Sequence, residues 1–89
     1  MTIEKRREIY ERAFEEFGSE MQTIVCIEEL AELAKELTKY LRGDGDIDRI
    51  ADEIADVRIT VEQMVLFHDI APEVDEHTEA KLKRLEARL

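Results

Sequence analysis

Only four residues of this sequence are strong helix breakers, three glycines and one proline in a chain of 89 residues. They fall at three points: at Gly18, at Gly43 and Gly45, and at Pro72. Because glycine and proline interrupt helices, so few breakers predict long helices joined by short turns. We therefore predict helices near residues 3–17, 20–42, 47–69 and 73–88.

Each break carries residues that are typical of a helix end. Ser19 followed by Gln22 fits a capping box at the start of the second helix. Gly43 can end the second helix, and Asp46 can cap the third. Pro72 suits the first turn of the fourth helix, where its missing N–H is not needed.

The length of the chain sets the scale of the fold. A chain of 89 residues has room for a single modest core, so we predict one domain that spans residues 1–89. Short turns between consecutive helices make neighbouring helices antiparallel. The expected fold class is all-α, a four-helix, antiparallel, bundle-like chain.

Apolar residues recur at helical spacing on the second and third helices and predict that these two helices pack together. The second helix carries Ile27, Leu30, Ala34, Leu37 and Leu41, and the third carries Ile47, Ile50, Ile54, Val57, Val61 and Val65. The third helix has a second apolar line on roughly the opposite side, made of Ala55, Ile59, Leu66 and Ile70. A helix that is apolar on two sides is buried on two sides, so we expect another copy of the chain to cover the second line.

Charge and composition exclude several classes of partner. The net charge of −10 argues against a nucleic acid, because phosphate backbones are bound by Lys and Arg. No stretch approaches the ~20 consecutive apolar residues of a membrane span, and the N-terminal residues have no apolar run typical of a signal peptide. Cys26 is the single cysteine, which excludes an internal disulfide and a cysteine-based zinc site. We expect a cytoplasmic protein.

The second helix crowds its acidic residues, which are Glu28, Glu29, Glu32 and Glu36. Glutamates four residues apart repel each other on a helix, whereas a solvated helix face usually places Lys four residues after Glu. Glu29 has no basic residue three or four positions after it. A bound cation would compensate this repulsion.

The third helix brings the acidic pair Glu53 and Asp56 to the same place. At about 100° per residue, Glu29 and Glu32 lie at the same angular offsets from Leu30 as this pair does from Ile54. On antiparallel helices equal offsets point to the same side, and Glu32 and Asp56 lie at equal depths from the turn. Four carboxylates at one patch can bind a hard divalent cation such as Mg²⁺. By spacing alone, a solvated acidic face is an equal alternative.

The spacing of these acids also resembles a family signature. Glu28-Glu29-x-x-Glu32, twenty intervening residues and Glu53-x-x-Asp56 resemble the E-E-x-x-E … E-x-x-D signature of MazG-type all-α nucleoside triphosphate pyrophosphohydrolases. The resemblance to small, stand-alone, phage-like members extends over EFGSEMQTIVCIEELAELAKELTKYLRG, IADEIADVRITVEQM and EAKLKRLEARL.

The resemblance implies an activity and a set of site residues. It implies Mg²⁺-dependent hydrolysis of (deoxy)nucleoside triphosphates to the monophosphate and pyrophosphate, in nucleotide-pool control or house-cleaning, by a homodimer or homotetramer. Mn²⁺ is a possible substitute for Mg²⁺. The implied metal ligands are Glu28, Glu29, Glu32, Glu53 and Asp56, and the implied catalytic residues are Glu29, Glu32, Glu53 and Asp56. Lys81 and Arg84 match basic positions that approach the substrate phosphates, although these residues could equally belong to a solvated face.

Two other classes of helical protein are alternatives to such an enzyme. Di-iron and di-manganese carboxylate bundles need Glu-x-x-His pairs, and neither His68 nor His77 has a glutamate three positions before it. A non-enzymatic helical interaction module with a solvated acidic face remains the alternative, and it would be indifferent to Mg²⁺.

Overall fold

The computed structural model describes residues Met1–Leu89 and contains four α-helices and no strand. Helix α1 spans Ile3–Phe17, α2 Ser19–Leu41, α3 Ile47–His68 and α4 Ala71–Glu86. These bounds agree with the predicted helices to within two residues, so the all-α, four-helix prediction is confirmed. None of the helices combines the length and the apolar character needed to cross a membrane.

The helix ends follow the predicted chemistry at two of the three breaks. The side chain of Asp46 accepts a hydrogen bond from the backbone N–H of Asp48 at 2.9 Å, and Pro72 lies in the first turn of α4. The predicted capping box at Ser19 is wrong. Helix α2 begins at Ser19 with Gly18 as its N-cap residue, and no side chain caps it. Gln22 is buried instead.

The turn between α2 and α3 depends on its two glycines. Gly43 has a φ of 89°, a backbone conformation that favours glycine. A Cβ atom added to Gly45 would lie 2.3 Å from the Cα atom of Tyr40, so a side chain there would displace the backbone. The tight turn reverses the chain and places α2 and α3 side by side and antiparallel.

The contact between α2 and α3 is polar, which corrects the prediction that their apolar stripes face each other. The buried residues of these two helices are Gln22, Cys26 and Glu36 of α2 and Thr60 and Gln63 of α3. Across the contact, the Nε2 atom of Gln63 donates a hydrogen bond to Oε1 of Gln22 at 2.9 Å. The most buried side chains of the contact are therefore polar or small, while Leu33 and Met64 are half-buried on the same faces.

The apolar stripe of α2 lies beside this contact and remains exposed. The stripe of α3 is exposed at Ile47, Ile54 and Val61 and half-buried at Ile50, Val57 and Val65. Leu30 is 48% exposed and Ile54 is 42% exposed. At about 100° per residue, both stripes are turned by roughly 100° from the buried faces, toward the same side of the antiparallel pair. We call this surface the apolar flank; its exposed large residues are Ile27, Leu30, Leu37, Leu41, Ile47, Ile54 and Val61. Contiguous exposed apolar patches are uncommon on monomeric soluble proteins.

The single chain buries little of itself. Its accessible surface is 7215 Å², whereas a folded monomer of its mass of 10.4 kDa is expected to expose about 5,400 Å². Its radius of gyration is 15.5 Å, against about 12 Å for a compact chain of this length. The excess of roughly 1,800 Å² is surface that a compact monomer would cover.

Helices α1 and α4 differ in how they attach to this pair. Helix α1 packs on α3: the rings of Phe14 and Phe67 stack with centroids 5.3 Å apart. Arg6 donates to both carboxylate oxygens of Glu62, at 2.7 and 2.6 Å, and the hydroxyl of Tyr10 donates to the same carboxylate. Helix α4, in contrast, contains no buried residue. The four helices therefore do not enclose one shared core within the single chain.

Candidate metal centre

Three carboxylates meet where α2 and α3 face each other. One oxygen each from Glu29, Glu53 and Asp56 lies within 4.8 Å of the other two, and all three residues are half-buried. Glu29 shares the buried face of α2, while Glu53 and Asp56 are one helical turn apart on the facing side of α3. We call these three residues the carboxylate cluster.

One atom of the cluster has no polar partner. The Oε2 atom of Glu53 is buried and makes no hydrogen bond. A buried polar atom without a hydrogen bond is costly, and a buried carboxylate is normally paired with a cation or bound to a metal ion. The lone oxygen therefore indicates a site for a positively charged ligand.

The carboxylates also raise each other's proton affinity. The pKa of Glu29 is raised from its usual 4.5 by burial and then by the negative charges of Asp56 and Glu53. The pKa of Glu53 is raised from the same value by burial and by the charges of Asp56, Asp52 and Glu32. Both shifts therefore follow from burial first and from neighbouring negative charge second.

No basic side chain neutralises the cluster. The four ion pairs of the chain join Lys5 to Glu8, Arg6 to Glu62, Lys39 to Glu36 and Lys83 to Glu79. Each of them lies outside the three clustered residues. The negative charge of the cluster can therefore be balanced by protons taken up by the carboxylates or by a cation supplied from solution.

The cluster could hold a small divalent cation once its side chains rotate inward. Mg²⁺ binds oxygens at about 2.0–2.1 Å in an octahedron, so adjacent ligands are about 2.9 Å apart and opposite ligands about 4.2 Å apart. Among three ligands at most one pair is opposite, so the clustered oxygens, which lie within 4.8 Å of one another, would approach each other by side-chain rotation. The donor set can therefore hold a metal ion.

The structure groups three of the five residues predicted as metal ligands. Glu28 and Glu32 are exposed and lie outside the cluster, although the charge of Glu32 acts on Glu53. Lys81 and Arg84, predicted to contact substrate, are exposed on α4. The single chain therefore does not bury either basic residue against the cluster.

Sequence reasoning missed the polar residues that continue the cluster along the helices. Gln22 lies two turns before Glu29, and Gln63 lies two turns after Asp56. Their hydrogen bond fixes the register that places Glu29 opposite Asp56. The signal was present on α3, where Glu53, Asp56, Thr60 and Gln63 follow the 3,4,3 spacing of one helix face.

Replacing Glu53 by Gln is expected to stabilise the metal-free protein at neutral pH. In wild type, the folded state keeps protons on Glu29 and Glu53 that the unfolded chain has released, so stability falls as pH rises above 4.5 through the raised pKa values. The Glu53→Gln variant removes one of these charges. With a chelator at pH 7, its melting temperature should exceed that of wild type.

Adding Mg²⁺ should reverse the order of the two melting temperatures, so that wild type melts above Glu53→Gln. A ligand that binds only the folded state raises the melting temperature by mass action, and this rise should occur in wild type and vanish in Glu53→Gln. The exposed residue Glu20, changed to Gln, is the matched control and should respond to Mg²⁺ as wild type does. If Glu53→Gln responds as fully as wild type, the ion binds elsewhere.

Comparison of the chain with protein-family models, with curated proteins and with solved structures found no match.

Proposed function

We propose that this protein is a Mg²⁺-dependent nucleoside triphosphate pyrophosphohydrolase of the MazG type. The observation that carries the proposal is the carboxylate cluster, in which the Oε2 atom of Glu53 is buried without a partner. The order of acidic residues along α2 and α3, which resembles the signature of that family, supports the same reading.

The residues of the cluster suit this chemistry. In the proposed reaction, water adds to the α-phosphorus and the bond from that phosphorus to the oxygen bridging the β-phosphate breaks. Such a transfer depends on positioning and charge neutralisation more than on a covalent nucleophile. Mg²⁺ would neutralise phosphate oxygens and polarise the α-phosphorus. One of the carboxylates Glu29, Glu32, Glu53 and Asp56 accepts a proton from the attacking water.

The phosphate-binding residues are proposed to come from the C-terminal part of α4. Residues 81–89 carry four basic side chains and one acidic side chain, a net charge of +3 in a chain whose total is −10. Lys81 and Arg84 belong to this segment and are solvent-accessible. They are the proposed contacts to the substrate phosphates.

We further propose that the active form is a cytoplasmic homodimer or homotetramer. The excess accessible surface of roughly 1,800 Å² per chain exceeds the ~800 Å² per partner of a standard interface and falls in the range of obligate ones. The apolar flank supplies an apolar surface for such an interface. A copy packed there completes the core that the single chain lacks.

The alternative is a helical interaction module without enzymatic activity. The exposed apolar flank favours this reading as well, because it is a binding surface for any apolar partner. The burial of Glu53 argues against it, since a purely solvated acidic face would leave every carboxylate oxygen in water. Indifference to Mg²⁺ would support the alternative.

A panel of canonical and modified (deoxy)nucleoside triphosphates, assayed for pyrophosphate release with Mg²⁺, tests the proposal. We expect a nucleoside monophosphate and pyrophosphate in equal amounts, with activity lost on adding a chelator. Release of orthophosphate alone would indicate a different phosphatase reaction. Absence of any product across the panel would favour the interaction module.

A further inference from the structure

The C-terminal arm, defined as residues 81–89, is an amphipathic segment without a partner in its own chain. Leu82 and Leu85 are 55% and 51% exposed, and every residue from position 71 onward is exposed. The side chains of α4 bond only within the helix: Thr78 donates a hydrogen bond to the carbonyl of Val74, and Lys83 pairs with Glu79. A helix with leucines on one stripe gains stability only when that stripe is buried.

Charge indicates what surface the arm fits. The arm has a net charge of +3, so the remaining residues 1–80 carry −13. At about 100° per residue, Lys81 and Arg88 lie beside the leucine stripe, and Lys83 and Arg84 lie on the opposite half of the helix. The complementary surface must therefore combine exposed apolar residues with acidic ones.

One side of the α2–α3 pair has this combination. Successive residues of a helix are turned by about 100°. This side lies roughly 100° round each helix from its buried face, and the apolar flank lies about as far round in the other direction. We call it the acidic side; its exposed residues include Met21, Ile24, Glu28, Glu32 and Lys35 of α2 and Asp52 and Ile59 of α3, three carboxylates against one ammonium group. The apolar flank has no comparable excess of carboxylates, so the arm matches the acidic side better.

We propose that the C-terminal arm of one copy of this chain packs on the acidic side of a second copy. Leu82 and Leu85 would cover Ile24 and Ile59, while the basic residues of the arm would face Glu28, Glu32 and Asp52. The arm is unburied in its own chain, and the excess accessible surface of roughly 1,800 Å² per chain is enough for such a contact in addition to the apolar flank.

This arrangement has a consequence for the site. It brings Lys81 and Arg84 of one copy to the side of the other copy on which Glu32 and Asp52 border the carboxylate cluster. The two parts of the proposed site, which are separate in the single chain, then come from two chains. The inference rests on the assembly that is part of the proposed function and adds the contact that completes the site.

Disulfide trapping between two different chains tests the contact. Both chains carry Cys26→Ser, which removes the only native cysteine. One carries Leu85→Cys and an affinity tag, and the other carries Ile59→Cys. After the two are unfolded together and refolded, mild oxidation should yield a disulfide-linked pair of unlike chains. His77→Cys, also exposed on α4 but outside the arm, replaces Leu85→Cys in the matched control and should yield little linked product.

The outcomes separate the contact from the proposed function. Charge reversal at Lys83 and Arg88 should reduce the linked product, because it removes the attraction to the acidic side, and circular dichroism should show unchanged helix content. An oligomer by light scattering without the Leu85–Ile59 link would overturn the arm contact. If that same oligomer still releases pyrophosphate with Mg²⁺, the proposed function stands while the arm contact fails. A monomer by light scattering would overturn the contact and the proposed assembly together.

Discussion

The rate of Mg²⁺-dependent pyrophosphate release is expected to fall by about 10²- to 10⁴-fold in the Glu53→Gln variant. A bound metal ion stabilises the transition state by several kcal/mol, and each ~1.4 kcal/mol changes the rate tenfold. Glu53 sits in the carboxylate cluster and contributes its buried, unpartnered oxygen. An amide is nearly the same size but carries no charge, so the change removes a ligand without creating a cavity. Steady-state rates at saturating Mg²⁺ measure the loss.

The control separates loss of the site from loss of the fold. Glu20→Gln makes the same chemical change at an exposed position in the first turn of α2 and should keep wild-type turnover. The melting temperature of Glu53→Gln in chelator should be no lower than that of wild type. Turnover within a few-fold of wild type in Glu53→Gln would show that the cluster is not the catalytic metal site.

Placing charges on the apolar flank is expected to dissociate the protein and to lower its stability strongly. In the double variant Leu30→Glu, Leu37→Glu, two carboxylates would be buried unpaired in the proposed interface, which is costly. Only six of 89 residues are buried in the single chain, and obligate oligomers often have no stable folded monomer. Light scattering should show a monomeric mass, and thermal melts should show an early, weakly cooperative transition.

An exposed position on α4 provides the control for this variant. Ala80 is exposed, lies outside the apolar flank and is on the face of α4 opposite Leu82 and Leu85. Ala80→Glu should keep the oligomeric mass and most of the melting temperature. A Leu30→Glu, Leu37→Glu protein that remains fully assembled would show that the flank is not the interface.

The helix boundaries could be predicted because local chemistry determines them. Glycine and proline break helices whatever the tertiary structure, and Asp46 caps α3 through a bond to its own neighbour Asp48. At Ser19 the same rule failed. Helix α2 begins directly after Gly18, which follows α1. The side chain of Gln22 does not cap the helix, because it accepts a hydrogen bond from Gln63 of α3.

The faces of α2 and α3 could not be predicted by the same means. The usual rule places the apolar stripe of a helix toward the core of its own chain. Here the polar stripe of Gln22, Glu29 and Gln63 faces inward and the apolar residues, such as Leu30, face outward. A single sequence does not state whether an apolar stripe will be covered by its own chain or by another one.

The carboxylate cluster was nevertheless predicted in part. Depth along an antiparallel pair depends only on turn length and helical rise, so Glu29, Glu53 and Asp56 were placed together although the facing stripe was chosen wrongly. Glu32 was grouped with them by spacing and Glu28 by the resemblance, but both are exposed. With Glu29 facing α3, helical geometry turns Glu32 by about 60° and Glu28 by about 100° away from the contact.

Crystals grown with MnCl₂ offer the most direct test of the metal centre, because the anomalous scattering of Mn²⁺ locates the ion independently of any activity. We expect an anomalous peak between α2 and α3, at bonding distance from carboxylate oxygens of Glu29, Glu53 and Asp56. Occupancy of that peak should disappear in Glu53→Gln crystals grown in the same way. An ion bound only at other carboxylates, or a cluster free of Mn²⁺ at millimolar concentration, would contradict this expectation.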